Sequence, residues 1–348
     1  MKRPLIAAAI ATLLLSVGCS ESAEEVNDLV APEEIDIEDQ EEVEETIDTP
    51  SATYPLTGLN AEGEIENRPI AVMINNHPAA RPQTGLVDAD VVYEVLAEGE
   101  MTRFVAIYQS TLPENVGPVR SAREYHLDLA QGYDAAFITH GWSPGAETDL
   151  QAGKIDYLSG LQYDGTLFQR SSDRRAPHNS YITFENIKTG LEQQGYEWTG
   201  STKPLAFYPH EDIQVVGNGA TEIEINYYNR NYVSFRFDEE SGFYHRYNQD
   251  SQTVDQVTDE PLELANVFVV ETDHRVVDDV GRREIDLSSG GRALLMHSGL
   301  ANEVQWKNEN ERIIPVDKNG NEIQLKPGAT WINIVPSSPG MDETVTYQ

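Results

Sequence analysis

Apolar positions between residues 54 and 210 follow two different periods. Short apolar runs predict strands at 70–74, 90–96, 103–108 and 135–139. Apolar residues spaced four apart predict a helix from Ala122 to Tyr133. A second helix is predicted from Phe184 to Gln194, and Gly195 marks its end. Because strands and helices alternate here, residues 54–210 are predicted to form a mixed α/β domain.

Residues 215–340 show mainly the two-residue alternation of strands. Alternating or apolar runs predict strands at 223–227, 233–237, 243–247, 267–270, 293–296 and 330–335. A turn over 238–242 joins two of these runs as a hairpin, and a second turn is predicted over 317–320. This pattern indicates a β-rich domain, built as an antiparallel sheet or sandwich. The fold class predicted for the chain is therefore α+β, with a mixed α/β domain followed by a β-rich domain.

The first residues of the chain predict export and anchoring. Lys2 and Arg3 precede an uncharged apolar run, and Gly18 lies directly before Cys19. Residues 1–18 are therefore predicted to be a lipoprotein signal peptide. Cys19 is the only cysteine, so no disulfide can form within the chain. Its thiol is predicted to carry diacylglycerol, with further acyl chains such as palmitate, and each buried CH₂ adds about 0.8 kcal/mol of membrane affinity. We expect a lipid anchor on the extracytoplasmic face of the cell membrane.

Charge changes this picture in two ways. Residues 20–50 contain 14 acidic and no basic residues, so 19–53 is predicted to be a disordered tether. The whole chain has 59 acidic and 24 basic residues; without the tether and the two signal-peptide bases, 45 acidic and 22 basic residues remain, a net charge of −23. Such an acidic surface argues against nucleic acid as a partner, because that binding needs Lys and Arg to neutralise phosphates.

Arginine, histidine and amide side chains nevertheless concentrate in loops of the first domain. Loops that follow strands or precede helices are common places for binding residues, and arginine suits carboxylate or phosphate groups. The alternative is that these arginines form salt bridges with the abundant Glu and Asp nearby. The candidate ligand-binding residues are Asn76, Arg81, Glu94, Arg103, Arg120, Arg123, Arg175, His178 and Asn179.

Two other motifs do not support a catalytic or metal site. Gly141 to Gly145 matches the G-x-S-x-G nucleophile elbow, but Pro144 follows Ser143 and has no N–H to donate to an oxyanion. Ser143 is better explained as a helix N-cap with Pro144 at the first helical position. His77, His126, His140 and His178 match no metal-ligand spacing. No cofactor motif is present, and whether the protein is an enzyme stays open.

Several segments together resemble the YerB-type lipoproteins of Gram-positive bacteria. They are PLTGL (55–59), RPIAV (68–72), ARPQTGL (80–86), ADVVYE (89–94), TRF (102–104), VGPVRSAR (116–123), RAPHN (175–179) and PGATWI (327–332). The resemblance covers about 54–336, and it implies a lipid anchor and two successive domains. It carries no catalytic residue to transfer.

Three functions remain as hypotheses. The first is an anchored envelope protein that binds an anionic ligand, such as a cell-wall polymer or a peptide carboxylate. The second is a hydrolase or transferase acting on wall polymers, with Glu94 or Glu98 as general base and His178 as acid. The third is a scaffold that binds a membrane protein partner through the β-rich domain.

Overall fold

The computed structural model describes residues 52–209, 216–228 and 231–348. The predicted signal peptide, Cys19 and nearly all of the acidic tether lie outside the described residues, as do residues 210–215 within the predicted domain boundary near 200–220. In the described ranges, no helix combines the length and the apolar character needed to cross a bilayer.

The described residues form short strands with a few helices. The strands are β1 Ile70–Asn75, β2 Val91–Leu96, β3 Thr102–Tyr108, β4 Asn115–Val116, β5 Ala136–Thr139, β6 Tyr157–Ser159, β7 Phe168–Arg170, β8 Ser180–Thr183, β9 Asn218–Gly219, β10 Glu222–Tyr228, β11 Asn231–Asp238, β12 Phe243–Asn248, β13 Ser251–Gln252, β14 Asn266–Thr272, β15 His274–Val276, β16 Arg283–Ile285, β17 Gly291–His297, β18 Leu300–Glu309, β19 Arg312–Val316, β20 Thr330–Pro336 and β21 Val345–Tyr347. The α-helices are α1 Glu124–Gln131, α2 Pro144–Gln151, α3 Gly160–Tyr163, α4 Phe184–Gln194 and α5 Met341–Thr344. The predicted α+β class is confirmed.

Within the described ranges, eleven strands from both halves of the chain form one sheet. Its order is β19-β18-β17-β14-β20-β2-β3-β1-β5-β6, with β9 beside β18. A five-stranded sheet has the order β13-β12-β11-β10-β21, and β4-β8-β7 and β15-β16 form two smaller sheets. Because β20 pairs with β2, the large sheet continues from the second half of the chain into the first.

Both faces of the large sheet are buried. Successive side chains of a strand point to opposite faces, so alternate residues of β1 enter different cores. Val72 packs in a core with residues of α4 and the five-stranded sheet. Met73 packs in a second core with residues of α1 and α2. This double coverage explains why β1, β2 and β3 are apolar runs rather than alternating ones.

The helices of the first half follow the sequence closely. The α4 helix spans the predicted residues, and Gly195 ends it in the left-handed conformation. The α2 helix confirms the interpretation of Ser143, whose side chain accepts a hydrogen bond from the Ala146 N–H. The α1 helix begins at Glu124 rather than Ala122, because Arg123 is extended and Ala122 forms a β-bridge with Trp142.

The second half departs from the predicted antiparallel sheet at its central strand. The β20 strand pairs in parallel with β14 on one side and with β2 on the other. An apolar run shows that a strand is buried but does not give the direction of its neighbours, which tertiary contacts decide. A simple antiparallel sandwich for this half is therefore wrong.

Candidate functional site

Polar residues of the first half gather where two neighbouring strands end. The β1 and β5 strands are parallel and adjacent, so their carboxyl ends meet at one edge of the sheet, where α/β proteins often bind ligands. The loop before α1 crosses this edge, because Arg120 N donates to Met73 O and His140 N donates to Arg120 O. We call Asn75, Arg103, Arg120, His140 and His178 the strand-end group.

Arg120 is the cation of this group without a counter-charge. Its side chain is half-buried, and its guanidinium makes no hydrogen bond or ion pair with any residue in the described ranges. Burial and the neighbouring charge of Arg103 lower the pKa of Arg120 to about 10. At neutral pH this guanidinium is therefore charged, partly desolvated and free to meet an anion.

Arg103 and Arg123 differ from Arg120 because both have an acidic partner. Arg103 donates from Nη2 to Glu98 Oε2 at 2.7 Å and from Nη1 to Ser121 O at 2.6 Å. Arg123 forms an ion pair with the other oxygen of Glu98. Two guanidinium groups therefore share the Glu98 carboxylate, and the charges of Glu124 and Asp278 also act on Arg123. The salt-bridge alternative holds for these two arginines.

His178 lies beside the strand ends with a defined tautomer. Asn75 Oδ1 accepts from His77 N, so the Asn75 amide nitrogen faces His178 Nδ1 at 2.9 Å and donates to it. The neutral ring therefore carries its proton on Nε2. The His178 ring stacks on His77, with centroids 4.3 Å apart. Burial, His77 and Arg120 together lower the pKa of His178, so the ring is neutral at pH 7.

His140 and Ser180 form a pair that does not suit nucleophilic catalysis. Arg170 Nη2 donates to His140 Nε2 at 2.9 Å, so Nδ1 carries the proton and donates to Ser180 Oγ at 2.8 Å. A histidine that already donates to the serine cannot take the hydroxyl proton. Arg170 is also paired with Asp164, which makes it another locally satisfied arginine.

Glu94 is not part of the strand-end group but belongs to what we call the buried ion-pair centre: Glu94, Arg246, Asn76, Thr102 and Trp331. Glu94 and Arg246 are both fully buried, and Arg246 Nη2 lies 2.9 Å from Glu94 Oε1. Thr102 Oγ1 and Trp331 Nε1 also donate to this carboxylate, at 2.9 and 3.1 Å, and Asn76 Nδ2 lies 3.4 Å from it. Solvent cannot reach the carboxylate, so a ligand at the surface does not touch it.

The remaining candidates hold the surrounding loops in place. Arg81 donates from Nε and Nη2 to Asn76 O, and burial lowers its pKa to about 10. Asn179 donates to Ser171 O at 3.0 Å and accepts from Arg170. Arg175 is exposed at the rim of the same loop. The structure thus brings together Arg103, Arg120 and His178, while Arg123 lies near them through Glu98.

Sequence analysis missed Arg246 and Trp331, the partners of Glu94. One signal could have found Arg246: it occupies an inward position of β12, where Tyr244 and Asn248 are also buried and the residues between them are not. A charged residue in the inward register of a strand indicates a buried partner. In the described ranges, no group of three or more His, Cys, Asp or Glu side chains is arranged to hold a metal.

Comparison with known proteins gives a family with no assigned function. Residues 56–197 match the model described as "Protein of unknown function (DUF3048) N-terminal domain", and 223–332 match the corresponding C-terminal domain. The chain belongs to the DUF3048 family. This confirms the resemblance seen in the sequence.

A relative and a crystal structure support this DUF3048 assignment. The chain is 47% identical to a Bacillus subtilis (strain 168) protein named "Putative lipoprotein YerB" over 286 residues. This stretch covers 81% of this chain and 86% of that protein. It is also similar to the crystal structure of YerB protein from Bacillus subtilis, with a TM-score of 0.79 and 45% identity over 85% of this chain and 99% of that one.

Proposed function

We propose that this DUF3048 protein is a lipid-anchored envelope protein whose strand-end group binds an anionic ligand. The observation that carries the proposal is Arg120, a half-buried guanidinium without a described counter-charge in a protein with a net charge of −35. In so acidic a chain, a cation left unpaired and desolvated is costly unless something else supplies the charge. The charge of Arg103 acts on Arg120, and that of Arg120 acts on His178, which places the three groups in one electrostatic neighbourhood.

The lipid anchor at Cys19 is supported by the sequence around that residue and by the name of a relative. Cys19 follows an apolar run and a small residue, as lipid-modified cysteines do, and the 47% identical relative carries the name lipoprotein. Mass analysis of the cell-derived protein tests it: we expect an amino terminus at an acylated Cys19. A Cys19→Ala variant should lose the acyl mass and its membrane association. An unmodified chain that still begins at Met1 would contradict the anchor.

The ligand class follows from the donors available. A guanidinium presents planar pairs of N–H groups, which suit the paired oxygens of a phosphate or carboxylate. Arg120 and the His178 Nε2–H would provide donors on neighbouring loops, and Arg103 would add positive charge behind them. An anionic cell-wall polymer or a peptide carboxylate has this chemistry.

Binding of the full-length protein to a phosphodiester wall polymer tests the proposal. We expect Arg120→Gln to weaken binding by about ten- to a hundredfold, because one charge-assisted hydrogen bond is worth roughly 1.5–3 kcal/mol. Arg236→Gln is the matched control, since it removes the same charge from an exposed position on the five-stranded sheet and should bind like the wild type. Equal binding by all three proteins would exclude Arg120 as the anion site.

The hydrolase hypothesis receives less support from this geometry. Glu94 is enclosed and Glu98 holds two arginines, so neither is a free general base beside His178. Incubation with wall fragments and mass spectrometry would detect new products if catalysis occurs. For the scaffold hypothesis, a partner still captured after deletion of 215–348 would argue against the β-rich half as the contact surface.

A further inference from the structure

His77 lies in the loop after β1, and its ring stacks on that of His178 in the strand-end group. The ring centroids are 4.3 Å apart, and the ring planes differ by 22°. His77 is exposed and His178 is partly exposed, so dissolved molecules can reach this pair of rings. The charge of Arg120 acts on His178, which places the stack beside the unpaired arginine. The sequence analysis considered His77 only as a metal ligand.

The tautomer of His77 is fixed by its own loop. Its Nδ1 accepts a hydrogen bond from Ala79 N at 3.1 Å and so caps the short 3-10 helix at 78–80. An imidazole nitrogen that accepts a hydrogen bond carries no proton, so the neutral ring has its proton on Nε2. His178 is in the same state, because its Nδ1 accepts from Asn75 Nδ2. In the described part of the chain, neither Nε2–H donates to a protein group.

The two Nε2–H groups face away from the same segment of chain. Both Nδ1 atoms are held by residues 75–79, one by the Asn75 side chain and the other by the Ala79 backbone. The two nitrogens of an imidazole ring point away from each other. Since the rings are nearly parallel, their Nε2–H groups leave the 75–79 segment side by side, about one ring spacing apart. Two donors so placed can share the two oxygens of one anionic group.

We propose that His77 is a second histidine of the anion site, whose Nε2–H binds the ligand together with that of His178. Each ring donates to one oxygen of the same phosphodiester or carboxylate group, and Arg120 balances the charge of that group. Because the stack and the two Nδ1 hydrogen bonds hold both rings before the ligand arrives, little freedom is lost on binding. This inference rests on the proposed function of the strand-end group and adds a binding residue to it.

Binding of the phosphodiester polymer to the full-length His77→Phe variant tests this role. Phenylalanine keeps a flat ring that can stack on His178 but has no N–H, so the variant separates stacking from donation. We expect binding about two- to tenfold weaker than that of the wild type, the value of one hydrogen bond. His245→Phe is the matched control, because His245 lies on β12 outside the strand-end group, and it should bind like the wild type.

Nuclear magnetic resonance of the wild type with ¹⁵N-labelled histidine gives a readout that a purely structural stack would not move. Added inorganic phosphate should shift the Nε2 signals of both His77 and His178 and leave that of His245 in place. A shift of the His178 signal alone, or a His77→Phe variant that binds like the wild type, would overturn the role of His77. If Arg120→Gln still weakens binding in that case, the proposed function stands without His77. A wild type that binds neither the polymer nor phosphate would overturn both.

Discussion

The guanidinium of Arg246 is enclosed and faces a carboxylate, whereas that of Arg120 is half-buried and faces none in the described ranges. The two differ in which parts of the chain surround them. The surroundings of Arg246 come from both halves, because Glu94 belongs to β2 and Trp331 to β20. The loops described around Arg120 come from the first half.

This difference indicates two roles for arginine in one acidic protein. A fully buried ion pair favours the arrangement of the two halves in which both charges meet, since neither charge is tolerated alone. A desolvated cation without a partner adds nothing comparable to the fold and is available to a ligand. Substitutions at the buried ion-pair centre should therefore alter stability, and substitutions at the strand-end group should alter binding.

Arg246→Met should give the largest effect. Removing one partner of a buried ion pair leaves an uncompensated carboxylate, so we expect a loss of about 3–5 kcal/mol in the free energy of unfolding. Denaturant unfolding followed by circular dichroism measures this loss. The double variant Glu94→Leu with Arg246→Met should recover much of it, because both buried charges are gone. A loss no greater than that of Arg236→Met, on the neighbouring β11, would show that the pair does not join the halves.

The sequence indicates the residues of the strand-end group more directly than those of the buried ion-pair centre. The strands β1, β2 and β3 and the helix α4 follow from local patterns, and polar loops at the ends of predicted elements make Arg120 and His178 candidates. Glu94 was found as a candidate, but its partner Arg246 lies 152 residues further along the chain. Pairing over such a separation depends on the parallel insertion of β20 between β14 and β2, which no local period contains.

Arg120→Gln should have the opposite effect to Arg246→Met: it should weaken binding and leave stability nearly unchanged. No described contact of its guanidinium is lost, so the free energy of unfolding should change by about 0.5 kcal/mol or less. Binding of the phosphodiester polymer should nevertheless fall, as proposed above. Parallel unfolding and binding curves on the same preparation measure both effects. A stability loss as large as that of Arg246→Met would remove the distinction between the two arginines.

Acidification should strengthen anion binding through His178. Its pKa is lowered below the ordinary value by burial, His77 and Arg120, so the ring gains its proton only below about pH 6.5. The added charge favours an anion by about 0.2–1 kcal/mol, up to about fivefold in affinity. Binding titrations from pH 7.5 down to about pH 5 measure this rise.

A His178→Gln variant provides the check on that pH profile. It should bind with an affinity that no longer rises on acidification, whereas His245→Gln on β12 should keep the rise. If His178→Gln keeps the full pH dependence, another group controls it and His178 is not part of the anion site.

Arg175→Ala should have the smallest effect. The side chain is exposed at the rim of the loop that carries His178, so it can attract an anion before contact but gains little from desolvation. Charges at a rim act mainly on the rate of association and on its salt dependence. We expect about a twofold slower association at low salt, and no difference at high salt, where the charge is screened. Stopped-flow association of the phosphodiester polymer measures this. An effect on dissociation as large as that of Arg120→Gln would instead place Arg175 inside the site.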